Sequence, residues 1–140
     1  MPESLMTTTV IQQVEYPVEL TEDIVKIRQE VKKLAQDLNF SLVDLTKLIT
    51  AASELARNMF LYAGGGMTTM EVIAENRKIG IKLLFTDKGP GISDLNLALT
   101  DGYSTSGGMG LGLGGSRRLV NEFDIRTGPE GTTVSIIRWR

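Results

Sequence analysis

Between Asp101 and Gly115 the chain places glycine at seven of fifteen positions, in the run DGYSTSGGMGLGLGG. Glycine loses more conformational entropy on ordering than any other residue and weakens helices and strands alike. A folded domain rarely carries that much backbone freedom without a use for it. The same stretch has a chemical use. A glycine-rich loop that opens a helix presents unpaired N–H groups, and the positive end of the helix dipole, to an anion. Ser104, Thr105 and Ser106 add hydroxyl donors on the approach to it. The plainer reading is a surface loop.

The flanks show two periods. Residues 8–20, TTVIQQVEYPVEL, alternate Val10, Val14 and Tyr16 with polar neighbours, which predicts a strand. Pro17 puts it at a sheet edge or marks its end. Thr21 is placed to cap a helix whose first turn carries Glu22 and Asp23. Ile24, Ile27, Val31, Leu34 and Leu38 then recur at helical spacing up to Asn39. Ser41, with Asp44 three residues on, reads as a capping box for a second helix that reaches about Tyr62, where Gly64-Gly65-Gly66 stops it. MEVIAEN and KIGIKLLFTD predict two strands joined at Asn76-Arg77-Lys78. Beyond Pro90-Gly91, Ser93 caps a short helix, DLNLALT. A helix from about Leu111 to Glu122 opens within the glycine run, and the strands DIRTG and TTVSIIRW flank the turn Pro129-Glu130-Gly131. Hairpins alternating with helices predict a two-layer α/β sandwich, its mixed but mostly antiparallel sheet covered on one face.

Composition narrows the chemistry. A chain of 140 residues fits one domain, 1–140, with about 1–8 as a flexible tail. A net charge of -2 gives no basic field for nucleic acid. No apolar run approaches the roughly 20 residues of a membrane helix, and MPESLMTTTV lacks the features of a secretory signal. A cytoplasmic protein is the expectation. With no cysteine and no histidine, the chain lacks thiolate metal sites, the commonest general base and any phosphohistidine of its own. Catalysis would rest on carboxylates, hydroxyls, amides or a hard metal ion.

Gly110 to Gly115 spells a G-x-G-x-x-G, but a dinucleotide fingerprint needs a strand running into its first glycine, and YSTSGGM is a polar loop. The nucleoside-triphosphate P-loop needs Gly-Lys-Ser/Thr, which is absent. Two further motifs matter more. Glu54 and Asn58 are four apart and share one helix face beside the apolar stripe. A carboxylate and an amide so placed suit a proton acceptor and a ligand for a hard cation, or simply a solvated face. Asp87-Lys88-Gly89-Pro90-Gly91-Ile92 ends an apolar strand. Asp87 can accept from an exocyclic amine while Gly89 and Gly91 let backbone approach a flat ring. Asp, Pro and Gly are equally the residues of an ordinary turn.

In this order, ELARN, DKGPGI and GGMGLGLGG resemble the Bergerat-type ATP-binding fold shared by gyrase, Hsp90-type chaperones, histidine kinases and mismatch-repair ATPases, the GHKL superfamily. GTTV, residues 131–134, is similar to that family's last nucleotide-contacting strand, and the likeness runs over about residues 10–139. The short length and DGYSTSGG most resemble the anti-sigma-factor serine/threonine kinases, the stressosome switch kinases among them. The resemblance implies ATP and Mg²⁺ as cofactors, Glu54 as general base and Asn58 as the Mg²⁺ ligand. It implies Asp87 as the residue that reads the adenine amino group, with Gly89, Gly91 and Ile92 around it. Residues from about Leu99 to Gly108 match the ATP lid. Gly108, Gly110 and Gly112 match the phosphate-holding glycines, with Ser104, Thr105, Ser106, Gly107, Met109 and Leu111 in the same binding stretch. Thr132 matches the threonine that supports the aspartate; alternation lets only one of Thr132 and Thr133 face inward. Arg57, Lys88, Arg117 and Arg118 are candidates for added positive charge, for ion pairs or for partner contact.

The implied activity is phosphorylation of a small antagonist protein of the STAS type in a partner-switching stress or sigma-factor pathway. A phosphatase or other pathway protein is a second partner, and neither nucleic acid nor membrane is involved. The first helix, 21–39, and the lid are the candidate partner surfaces. The alternatives are a nucleotide-dependent binding module and a stand-alone ATPase.

Overall fold

The sheet is built from strands whose every second side chain is apolar, and the computed structural model describes it through residues 8–92, 99 and 112–140. In chain order the elements are β1 (Thr9–Val18), α1 (Thr21–Asp37), α2 (Leu42–Ala63), β2 (Gly66–Glu75), β3 (Lys78–Thr86), α3 (Gly112–Arg117), β4 (Glu122–Gly128) and β5 (Gly131–Trp139). In space the strands run β1-β2-β3-β5-β4. All four ladders are antiparallel, so the described sheet has no parallel pair.

One face of this sheet carries the core. Val18, Met70, Ile81, Leu83, Phe85, Val134 and Ile136 project from it against Ile27, Val31 and Ala35 of α1 and Leu48, Ala51, Ala52 and Leu55 of α2. Leu113 of α3 joins the same cluster. Complete burial of a leucine or isoleucine is worth about 1.5–3 kcal/mol, which explains why both long helices turn their apolar stripes the same way. The opposite face is polar in part, with Gln13 of β1 donating to Glu71 of β2 at 2.6 Å. The predicted two-layer sandwich, covered on one face, is the observed architecture.

Local chemistry sets most boundaries. The Ser41 hydroxyl accepts the Asp44 N–H at 3.1 Å, and α2 ends at Gly64 in the left-handed region, φ 77°. Asn76 and Arg77, at φ 51° and 70°, form the two-residue connection between β2 and β3, as the twist of a tight hairpin demands. Pro17 lies one residue from the end of β1, an edge strand.

Several expectations need correction. Thr21 does not cap α1: the Asp23 carboxylate does, accepting the Glu19 and Leu20 N–H groups at 2.8 and 2.9 Å. These two bonds hold Asp23 below the usual carboxylate range. Asp44 does not close a capping box either, because its carboxylate pairs with the Arg138 guanidinium of β5. β2 begins at Gly66, not Met70, since Gly66 pairs with Val18. The helix predicted over 111–122 stops at Arg117. Arg118 and Leu119 donate back to Gly115 and Ser116, tightening the last turn, and Asn121 already donates to Ile137. β4 therefore starts at Glu122. The predicted tail and the short helix 94–100 lie outside the described residues, apart from Leu99 and Thr8. Among the described residues no helix is long and apolar enough to cross a membrane.

Candidate functional site

Glu54 stands on α2 with only 8% of its surface exposed, next to the fully buried Ala52 and Ala56. A carboxylate so enclosed needs partners. Its Oε2 accepts the Gly112 N–H at 3.3 Å, and its Oε1 lies 3.6 Å from the Arg57 guanidinium, one turn along the helix. Asn58 is half-buried one turn further on the same face. Gly112, at φ 70°, is the first residue of α3, a conformation that favours glycine. The Ser116 hydroxyl donates to the Gly112 carbonyl at 3.0 Å within the same short helix.

The second cluster forms at the strand ends. Asp87 follows β3, and its Oδ1 accepts two backbone N–H groups, from Gly89 at 2.9 Å and from Thr132 at 3.2 Å. The Asp87 N–H in turn donates to the Thr132 carbonyl at 2.9 Å. Both bonds to the carboxylate fall on one oxygen, so the orientation of Oδ2 is fixed while it accepts from no other described residue. The two clusters share α2. A Cβ at Gly89 would sit 2.8 Å from the Cβ of Ala63, the last residue of that helix. Gly91 has φ 86°, and a Cβ there would overlap the Gly128 carbonyl, so this turn accepts no side chain without strain.

Hydroxyls complete the corner. The Ile92 N–H donates to Thr127 Oγ1 at 2.9 Å, and Thr127 Oγ1 lies 2.7 Å from Thr132 Oγ1. Thr132 is 7% exposed on the helix side of the sheet, while Thr133 is half-buried on the other. Thr132 therefore supports Asp87 through its backbone amide, its hydroxyl being engaged by Thr127.

Of the predicted residues, the structure brings Asp87, Gly89, Gly91, Ile92 and Thr132 into one corner, and Glu54, Asn58 and Gly112 into another along α2. The amide of Gly112, matched by resemblance to a phosphate donor, is held by the Glu54 carboxylate. Ser104, Thr105, Ser106, Gly107, Gly108, Met109, Gly110 and Leu111 lie outside the described residues. Thr127 went unread in the sequence, although its alternation with Ile125 marks it as inward-facing. The link from Arg138 to Asp44 was equally unread and leaves no local signal. Lys88 is exposed. Among the described residues no group of three or more carboxylates could hold a metal by itself. A separate groove of about 220 Å³ between β1 and α1, with Tyr16, Lys33 and Asp37 on its walls, contains none of these residues.

Comparison with known proteins places the chain in a family. The profile of the histidine kinase-like ATPase domain matches residues 17–138. Over 118 residues the chain is 46% identical to the serine/threonine-protein kinase RsbT of Bacillus subtilis (strain 168), covering 84% of this chain and 89% of that protein. The fold resembles that in the crystal structure of the RsbU and RsbW domains of a Mycobacterium tuberculosis protein, with a TM-score of 0.65 at 14% identity over 92% of this chain. This chain spans only 33% of that one. It also resembles a chain of the SiaB–SiaC complex from Pseudomonas aeruginosa, with a TM-score of 0.56 at 14% identity over 94% of this chain and 91% of that one. At such identity the two structures speak for the fold alone.

Proposed function

The chain belongs to the histidine kinase-like ATPase domain family, and from that premise we propose that it carries ATP along α2, adenine at Asp87, and passes the terminal phosphoryl group to a hydroxyl of a small protein. Kinship with a serine/threonine kinase over most of both chains makes it a serine/threonine kinase of the partner-switching kind. The observation that carries the site plan is the division of labour along one helix. Glu54 and Ala63, which touches the Asp87 corner, are nine residues apart, about 13 Å of helix axis. That length suits a nucleoside triphosphate laid along the helix.

Each end has a chemical task. Asp87 Oδ2, oriented by the two amides on Oδ1, accepts from the exocyclic amine of adenine. Glu54 accepts the proton of the attacking serine or threonine hydroxyl as its oxygen bonds to the γ-phosphorus and the bond to ADP breaks. A positioned general base contributes about 10²–10⁴-fold. The amide oxygen of Asn58 suits a hard cation, and Mg²⁺ takes few protein ligands beside phosphate and water oxygens. The ion would supply charge compensation on the phosphates. Ser104 to Leu111 would hold the triphosphate through hydroxyls and backbone amides.

The acceptor is a small antagonist of the STAS type, and the activity belongs in the cytoplasm, where ATP is abundant. Incubation with γ-labelled ATP, Mg²⁺ and the proteins encoded beside this gene tests the proposal. Label on a small neighbouring protein supports it. Free phosphate with no labelled protein makes the chain an ATPase, and neither product makes it a binding module.

A further inference from the structure

α3 is fastened to α2 at both ends. At its front the Gly112 N–H rests on Glu54 Oε2. Just past its rear, the Leu119 carbonyl accepts from Arg138 Nη1 at 3.2 Å, and Nη2 of the same guanidinium pairs with Asp44 in the first turn of α2. The lengths agree. Asp44 and Glu54 are ten residues apart, about 15 Å along the helix, while Gly112 to Leu119 covers about 10 Å. The arginine side chain bridges the remainder. Between the tethers Leu113, Gly114 and Ser116 are buried, so the short helix lies flat on its support.

α3 has little means of holding that position unaided. It has six residues, three of them glycine. Isolated helices below about 12–15 residues are marginal, and each interior glycine costs about 1 kcal/mol relative to alanine. Its placement on α2 therefore depends on burial of Leu113 and Ser116, on Leu119 and Val120 packed behind it, and on the two end contacts. Arg138 is only 14% exposed along its side chain, and its Nε finds no partner among the described residues. A guanidinium enclosed with an unpartnered N–H carries a desolvation cost that its two remaining contacts must offset.

We propose that Arg138 is a positioning residue for Glu54: by tying Leu119 to Asp44 it holds α3 in register along α2, which keeps the Gly112 amide on Oε2 and fixes the plane of the carboxylate. This rests on the reading of Glu54 as general base. Withdrawing the guanidinium releases the rear of α3, and the freed helix shifts the Gly112 amide that orients the base. Arg57, at the other oxygen, remains in place and does not substitute for an amide on Oε2.

The test uses Arg138→Met, Asp44→Asn, the double variant and Arg138→Lys, with kcat and the KM for ATP measured in phosphotransfer. Amide NMR follows the Gly112 N–H, with Glu54→Gln marking its position when the carboxylate is absent. We expect Arg138→Met and Asp44→Asn each to lower kcat about 10-fold, with KM changed less than about 3-fold. The double variant should be no worse than the poorer single, because both break one linkage. Arg138→Lys should recover part of the rate, since an ammonium can reach Asp44 but lacks the fork that spans both partners. The Gly112 signal in Arg138→Met should move toward its Glu54→Gln position. Wild-type kcat, or a Gly112 signal that does not move, overturns the proposal. Should Arg138→Met not fold, Arg138→Lys and Asp44→Asn decide it on the same readings. If Glu54→Gln itself transfers phosphate at the wild-type rate, the base assignment fails, while the Gly112 signal still decides whether Arg138 sets the contact.

Discussion

The two ends of the site are built in opposite ways. The Asp87 corner is held by the turn after β3 and the β4–β5 hairpin: the carboxylate takes two amides, the aspartate's own N–H is taken by Thr132, and the Thr127 hydroxyl binds both Ile92 and Thr132. The Glu54 end rests on one 3.3 Å bond from the first amide of a six-residue helix, beside an ion pair at 3.6 Å. The Asp87 corner is held firmly because Thr127 and Thr132 are themselves paired in a ladder and the turn from Asp87 to Ile92 is bonded to them. A short glycine-rich helix has no ladder of its own, so the Glu54 carboxylate is held only as well as the contacts that fasten α3 to α2. One end is fixed by its close neighbours, and the other depends on tethers distant in sequence.

The largest test strikes the Glu54 end. Glu54→Gln should lower phosphotransfer about 10²–10⁴-fold and leave nucleotide affinity nearly unchanged, as measured by quenched-flow transfer and calorimetry. Equal losses of both would abolish the contrast between the ends. Asp87→Asn comes next. The two amides keep the carbonyl oxygen of the new side chain in place of Oδ1, so its NH₂ replaces Oδ2 and faces the adenine amine, donor against donor. ATP affinity should fall about 10–100-fold, consistent with the 1.5–3 kcal/mol of a bond to a charged group. Discrimination against a purine bearing a carbonyl at that position should fall as well; unchanged discrimination would remove Asp87 from base reading.

Thr127→Val should cost about 1–3 kcal/mol of stability, because the Ile92 N–H loses its acceptor and the Thr132 hydroxyl its partner. Nucleotide affinity should decline with it while kcat at saturation holds. A fall in kcat alone would show the corner to be coupled to transfer after all. The smallest effect concerns acid. The Arg138 guanidinium holds the Asp44 carboxyl below its ordinary value, with the Ser41 hydroxyl assisting. A lowered value in the folded state adds stability above the unfolded value of about 4, lost as pH falls through the folded one. Denaturation midpoints of Asp44→Asn and the parent should therefore draw together as the pH falls below the unfolded value of about 4 and separate at pH 7. Parallel curves would mean that the pair contributes nothing to folding.

Much of the fold was legible because its signals are local. The apolar stripe from Ile24 to Leu38 and the alternation in KIGIKLLFTD predict a helix and a strand with no knowledge of neighbours. Asp87 and its glycines were legible as well, since their partner Gly89 is two residues away. The short reach of α3 was less so. Helical spacing continues through Leu119 and Val120, but pairing of Asn121 with Ile137 claims the backbone first.

The sequence by itself determined the order of the described elements, the helix caps at Ser41 and Gly64, the hairpin at Asn76-Arg77 and, with no cysteine or histidine, which side chains are at hand for chemistry. These follow from side-chain period, turn stereochemistry and residue inventory, all of short range. Only the tertiary structure decided that Gly112 rests on Glu54, 58 residues away, and that Arg138 meets Asp44 across 94. Such partners are selected by how α2 and α3 pack on the sheet, and packing is a property of the assembled layers that no window of the chain contains.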